Sequence, residues 1–331
     1  MKYTSILAGA LGLMALAACT NNDEVTMEQP EVAKAPTLTV TWGGSADTRL
    51  IMDEWDFTEG IKSKWVSGDE IGLSENADAD IIIYKTSGSG STAVFELDGT
   101  TGPEDDTEYF IAYPAAYFTK GFNVVSQSGK FEDTYEYAYA LGHTTFTSNV
   151  PDNKVTLEPM FSFLCIPQGT VFEEAANAGS WTEDELADTY LELSGKDLIT
   201  GFIPASTSKI QMSPTTRAQV DPSGNIKGDI TINCKGVFEF KTFEAEVDGT
   251  PTSTIEIVNK EPIFIAVPVE KDEIEPTNLT LRLLTEDSEG PIADFYIGKV
   301  TDGLLTYSTV NESGKLYNLK DYLVFSGGGR D

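Results

Sequence analysis

The chain has 331 residues, 40% of them hydrophobic, which is enough for sizeable cores in about two domains. Its 53 acidic residues outnumber 22 lysines and arginines, and the net charge is −31. Such a surface repels phosphate backbones, so composition argues against nucleic-acid binding. The only histidine, His143, excludes a metal site built from several histidines and makes a histidine-based catalytic triad improbable.

The N-terminus has the pattern of a bacterial lipoprotein signal. An apolar stretch from Ile6 to Ala18 follows a positive charge and is too short to span a bilayer. Leu16-Ala17-Ala18-Cys19 matches a lipobox, in which the cysteine thiol takes the lipid. We therefore expect residues 1–18 to be a signal peptide, Cys19 to be lipidated and residues 19–36 to form a disordered tether. The alternative is an ordinary secretory signal in which Cys19 is incidental.

From residue 37 onward the chain predicts many short strands and little helix. Thr37–Trp42 alternates with period two, which places Leu38, Val40 and Trp42 on one face. Later β-branched and aromatic runs are separated by Gly, Asn, Asp and Pro. One short helix is expected after Thr182, which has capping-box spacing to Glu185. We therefore predict an all-β fold with two tandem β-sandwich domains of transthyretin-like or Greek-key type, over residues 37–168 and 169–331.

Candidate catalytic and metal-binding groups form no coherent site in the sequence. Glu54-Trp55-Asp56 sets an aromatic between two acids, an arrangement compatible with a glycosidase, but a polar loop explains it better. The acidic runs lack the regular ligand spacing and turn glycine of a calcium loop. No nucleophile elbow is present to pair with His143. Cys165 and Cys234 are either free or joined in one disulfide between the two domains. We predict no enzyme activity, no metal and no cofactor.

Three segments carry a pattern that extends beyond single strands. Trp65–Leu73 reads W-x-x-G-D-x-I-G, Tyr109–Pro114 is an aromatic strand that ends in Tyr-Pro, and Ser313–Leu319 reads G-K-x-Y-x-L. In this order, and over most of residues 37–325, they resemble the fimbrillins, the pilin lipoproteins of type V pili. Met160-Phe161 departs from that family, which commonly has a histidine there. Taken alone, these segments encode a turn and strand ends rather than chemistry, as expected of a structural subunit.

The resemblance implies assembly by strand exchange at the cell surface. A fimbrillin precursor is held at the outer membrane by its lipid, here on Cys19, and an arginine-specific protease removes its first strand. In this sequence the cut would follow Arg49, the only Arg or Lys between Lys34 and Lys62, with Arg217 as a weaker candidate. Loss of Thr37–Trp42 would open a groove that a strand of another fimbrial subunit fills.

The resemblance also draws attention to the C-terminal strand. Tyr317, Leu319, Leu323 and Phe325 are expected on one face of a single strand, Leu316–Phe325. Only six residues follow it, so the chain is expected to be a tip or accessory subunit, unless this strand is itself donated. A host or bacterial surface ligand is a further expected partner. The alternative function is a monomeric surface lipoprotein that binds glycans.

Overall fold

The structure is a computed structural model. It describes residues 36–43, 55–56, 60–61, 63–76, 79–147, 150, 152–173, 181–196, 198–204, 219–220, 224–247, 250–269, 279–285, 291–301, 304–307, 315–320 and 322–327. Within these ranges, no helix is long and apolar enough to cross a lipid bilayer.

Strands make up most of the described chain, and the all-β prediction is confirmed. The strands before residue 160 are β1 (Thr37–Trp42), β2 (Trp55–Asp56), β3 (Gly60–Ile61), β4 (Glu70–Ser74), β5 (Ile82–Thr86), β6 (Thr92–Leu97), β7 (Thr107–Tyr113), β8 (Phe122–Asn123), β9 (Ser126–Gln127), β10 (Ala140–Phe146) and β11 (Asp152–Pro159).

The strands after residue 160 follow the same short spacing. They are β12 (Phe161–Ile166), β13 (Val171–Glu173), β14 (Thr189–Ser194), β15 (Ile199–Phe202), β16 (Gln219–Val220), β17 (Asn225–Lys227), β18 (Ile230–Asn233), β19 (Phe238–Val247), β20 (Thr250–Asn259), β21 (Ile263–Pro268), β22 (Thr280–Thr285), β23 (Ala293–Thr301), β24 (Leu304–Tyr307), β25 (Leu316–Asn318) and β26 (Leu323–Gly327).

The described helices are short connections between strands. They are α1 (Tyr117–Lys120), the 3-10 helix η1 (Phe131–Tyr137) and α2 (Glu183–Ala187). The predicted capping box of α2 is confirmed: the Glu185 N–H donates to Thr182 Oγ1 at 3.3 Å, and the Thr182 N–H donates to Glu185 Oε2 at 2.9 Å. These two bonds satisfy N–H groups that a helix start otherwise leaves without partners.

The first part of the fold is a closed barrel of seven strands rather than the predicted sandwich. Its order is β1-β11-β10-β7-β4-β5-β6, and β6 returns to pair with β1. The other six strands form a continuous sheet that begins at β6 and ends at β11. The barrel closes because β1 pairs with both ends, antiparallel to β6 and parallel to β11.

Among the described residues, the remaining strands form five further sheets, one of which is the pair β2-β3. The orders of the other four are β21-β12-β25, β13-β20-β19, β16-β17-β15-β8, and β24-β23-β22-β14-β18-β9 with β26 also on β23. Strand β12 is buried along its whole length and lies between an antiparallel and a parallel neighbour. That environment accounts for its continuous apolar run.

Two hydrophobic clusters lie under these sheets. One fills the barrel, and we call it the barrel core: Leu38, Val40, Trp65, Ile71, Leu73, Tyr84, Ala93, Phe95, Tyr109, Ile111, Ala138, Ala140, Phe146, Val155 and Leu157. The other, the second core, takes in the side chains of β12 together with those of β14, β18, β21 and β22. The domain boundary at residues 168 and 169 stays a prediction.

Candidate functional site

The candidate site is strand β1, which joins the two ends of the barrel sheet. Leu38 lies opposite Phe95 of β6 on one side and opposite Asn153 of β11 on the other. The six residues of β1 pair along their full length with β11, from Thr37 opposite Asp152 to Trp42 opposite Leu157. Since β6 and β11 are not bonded to each other, β1 alone supplies the hydrogen-bonded partner for these two edges within the barrel.

The inward face of β1 is strongly apolar. Leu38 and Val40 are fully buried in the barrel core. Trp42 is half-buried at the end of the strand and packs edge-on against Trp65 and Tyr113, with ring centroids 5.5 and 6.1 Å away. Burying two aliphatic side chains of this size contributes about 1.5–3 kcal/mol each. The inward face therefore attaches β1 to the barrel together with its main-chain pairing to β6 and β11.

The outward face of β1 is polar and fixes the register. Thr39 Oγ1 donates to Asp152 Oδ1 at 2.6 Å, and the hydroxyls of Thr41 and Thr92 lie 3.1 Å apart. These contacts lie on opposite neighbours, β11 and β6. A one-residue slip would turn the threonines inward and the aliphatic side chains outward, so the alternation itself specifies the register.

Three aromatic side chains, Trp65, Phe95 and Tyr113, form an aromatic group with Trp42 at the end of β1. Trp65 packs edge-on against Phe95 at 5.0 Å and against Tyr113 at 5.2 Å between ring centroids. The indole N–H groups of Trp42 and Trp65 are buried, and neither has an acceptor among the described residues. Edge-to-face packing of this kind adds about 0.5–1.5 kcal/mol per pair to the burial of the rings.

A turn built on Asp69 holds this aromatic group in place. The Val66 N–H donates to Asp69 Oδ2 at 2.7 Å, and the Tyr113 hydroxyl donates to Asp69 Oδ1 at 3.3 Å. Gly68 has φ of +100°, a conformation that favours glycine. Burial raises the pKa of the Asp69 carboxyl above its usual value, and the two hydrogen bonds oppose that rise. Gly68 and Asp69 thus form a turn, as the sequence predicts.

Several solved structures, among them three from Bacteroides, are similar to this chain. The chain is similar to a candidate cell adhesion protein of Bacteroides uniformis, with 14% identity, 77% of this chain and 81% of that chain covered, and a TM-score of 0.35. A candidate cell adhesion protein of Bacteroides ovatus matches at 12% identity over 86% and 91%, with a TM-score of 0.38. A candidate polysaccharide-binding protein of Bacteroides thetaiotaomicron matches at 10% over 86% and 89%, with a TM-score of 0.33. No family model and no curated protein sequence matches the chain.

Several predicted site residues lie outside the described residues. These are Cys19, Arg49, Glu54 and Arg217. Lipidation at the first and processing at the second stay predictions. Among the described residues, no group of three or more His, Cys, Asp or Glu side chains is arranged to hold a metal ion.

The predicted terminal strand is not one strand. Strand β25 pairs with β12, whereas β26 pairs with β23 in another sheet. The Tyr322 N–H donates to Leu319 O at 3.0 Å, so the chain turns between these residues and crosses from one sheet to the other. Leu319 is buried, and Tyr317 and Leu323 are half-buried; of Phe325, the structure gives the backbone, which lies opposite Phe295. The prediction that all four side chains share one strand face is wrong for this reason.

The histidine and the two described cysteines occupy ordinary positions on the surface and in the core. His143 is exposed on β10, opposite Phe110 of β7. Cys165 and Cys234 are both buried and free, and burial raises the pKa of each thiol to about 12. Sequence reasoning missed the roles of Trp65 and Tyr113 at the barrel end. Both stand in the motifs quoted above, where they were interpreted only as parts of a turn and a strand.

Proposed function

We propose that this protein is a non-catalytic, adhesive subunit of a cell-surface fimbria, held at the outer membrane by a lipid on Cys19. Cleavage after Arg49 releases β1, and a strand of another subunit takes its place. The proposal rests on one observation, that β1 alone closes an otherwise continuous six-stranded sheet into a barrel. The resemblance to fimbrillins supports it independently through separate segments of the chain.

Removal of β1 would leave a groove with the properties of a strand-binding site. The groove would run between β6 and β11 for six residues, about 20 Å at the rise of a strand. Its walls would be two unpaired strand edges, and its floor would be the barrel core, without the side chains of Leu38 and Val40. A partner strand would restore the ladder through its main chain and fill the two vacated positions through alternate side chains.

The test is trimming of the full chain with trypsin, followed by mixing with candidate fimbrial subunits. We expect an early cut after Arg49 in the wild type and none there in Arg49→Gln, read by intact mass and N-terminal sequencing. The trimmed wild type should then form a complex with a partner subunit that elutes earlier on gel filtration, whereas Arg49→Gln should elute as the unbound protein. Arg217→Gln serves as the matched control and should behave as the wild type. A trimmed protein that captures no strand would favour the monomeric glycan-binding lipoprotein instead.

A further inference from the structure

A long two-stranded ribbon extends from the second core. Strands β19 and β20 have ten residues each and pair without a register shift from Phe238 opposite Asn259 to Val247 opposite Thr250. The base of the ribbon is packed: Phe238 and Ile257 are buried, and the ring of Phe238 lies 4.8 Å from that of Phe172. The base therefore anchors the ribbon firmly to the fold.

The outer part of the ribbon has no third strand among the described residues. Strand β13 pairs with β20 only at Val258 and Ile257. Beyond that point Thr242, Glu244 and Ser253 are exposed, and Ile255 is 41% exposed. Seven further residues reach about 24 Å at the rise of an antiparallel strand. An isolated two-stranded ribbon is marginally stable in water, so an exposed arm of this length calls for a structural or functional reason.

The direction of the backbone groups shows which edge of the ribbon is open. The Lys260 N–H donates to Val237 O at 2.8 Å, so this pair is hydrogen-bonded, and pairs alternate from there along the ribbon. Thr242, Glu244 and Glu246 consequently point their N–H and C=O groups away from β20. On β20 the outward position opposite Glu246 is Pro251, which has no N–H to offer.

The two edges of the ribbon therefore differ. Proline at an outward position blunts the edge of β20, a common protection against strand addition. The edge of β19 contains no proline along its ten residues. Among the described residues, no strand pairs with that edge. It is the edge on which an added strand would find a continuous row of donors and acceptors.

The charge of the ribbon selects the kind of strand that fits. Residues 238–259 contain five acidic residues and one lysine, Lys241, whose ammonium lies 5.1 Å over the ring of Phe243. Like charges on adjacent strands are destabilising and opposite charges stabilising. A second copy of this acidic chain would be repelled along the edge, whereas a strand bearing lysine or arginine would be attracted.

We propose that the outer edge of β19 binds an extended, lysine- or arginine-bearing segment of another protein by β-strand addition. This surface is separate from the β1 groove, and it works whether or not β1 is exchanged. Main-chain hydrogen bonds to Thr242, Glu244 and Glu246 hold the segment, and the acidic side chains of the ribbon set the charge preference.

The test uses the full chain and a fluorescein-labelled ten-residue peptide in which lysine alternates with valine. A peptide with glutamate in place of each lysine is the charge control. Binding is measured by fluorescence anisotropy, and hydrogen exchange follows the amides of Thr242 and Glu244. Thr242→Pro removes an outward donor on β19. Ser253→Pro makes the same change on the outward edge of β20 and is the matched control.

We expect the lysine peptide to bind the wild type and Ser253→Pro alike, with protection of the Thr242 and Glu244 amides. Thr242→Pro should weaken binding about tenfold, the effect of losing one or two backbone hydrogen bonds. The glutamate peptide should not bind. The proposal is overturned if the peptide binds without protecting these amides, since charge alone then holds it. The proposal is also overturned if both proline variants lose affinity for the lysine peptide equally, or if neither variant loses affinity.

Discussion

The attachment of β1 to the barrel can be measured with Leu38→Ala. Leu38 is fully buried, and the strand that carries it is hydrogen-bonded on both sides. Removing the outer carbons of leucine costs about 2 kcal/mol of burial free energy. The two flanking strands limit collapse around the site, so the remaining cavity adds to this cost. We expect the free energy of unfolding to fall by about 3–4 kcal/mol.

The assay is urea denaturation followed by tryptophan fluorescence, to which Trp42 and Trp65 contribute from the barrel. Thr41→Ala is the matched control on the outward face of the same strand, and it should cost about 1 kcal/mol or less. If Leu38→Ala costs no more than Thr41→Ala, β1 is not packed in the barrel and the reasoning fails. The difference between Leu38→Ala and the wild type should also vanish once β1 has been removed from both proteins.

Further predictions concern the barrel end and the second core. Asp69→Asn removes a titrating carboxyl whose folded-state pKa is raised by burial above the ordinary value of 3.8. The free energy of unfolding of the wild type, relative to this variant, should therefore decrease as the pH rises above 3.8. Urea titrations of both proteins at several pH values measure this difference. Gly142→Ala places a Cβ 2.7 Å from Leu157 Cδ2, and we expect a loss of about 1–3 kcal/mol in the same assay. Cys165 and Cys234 should resist iodoacetamide at pH 8 until the protein unfolds, as mass spectrometry of labelled protein would show, because both thiols are buried with raised pKa values.

Local patterns predicted much of the fold. The period-two alternation of Thr37–Trp42 located β1 and its inward face, and the spacing of Thr182 and Glu185 located α2. Both depend on residues a few positions apart, so the sequence contains the whole signal. The same applies to the Gly68-Asp69 turn, where one residue needs positive φ and the next caps the turn.

Pairing between distant residues could not be predicted in this way. Closure of the barrel depends on β1 lying parallel to β11, with Thr39 bonded to a residue 113 positions away. No local pattern specifies that partner. At the C-terminus Asp321 interrupts the apolar alternation in the sequence, but one acidic residue does not specify the turn that separates β25 from β26.

The ribbon edge was missed for a different reason. Phe238 and Phe240 alternate as a strand should, but polar and acidic residues follow them, and Thr242 and Glu244 are exposed. Without a continuous apolar alternation, the sequence gives no clear sign of this strand. Its existence follows from the hairpin pairing with β20, and its open edge follows from its place at the end of the order β13-β20-β19 among the described residues.

The most direct measurement is binding of β1 in trans. The chain is trimmed after Arg49, the released strand is removed in mild urea, and a labelled peptide with the sequence of residues 36–43 is added. We predict saturable binding that raises the free energy of unfolding by about 2.7 kcal/mol at 100 times the dissociation constant. The same peptide with Leu38→Asp and Val40→Asp should not bind. If the trimmed chain is as stable as the intact one and binds neither peptide, β1 is not a replaceable strand and the account is wrong.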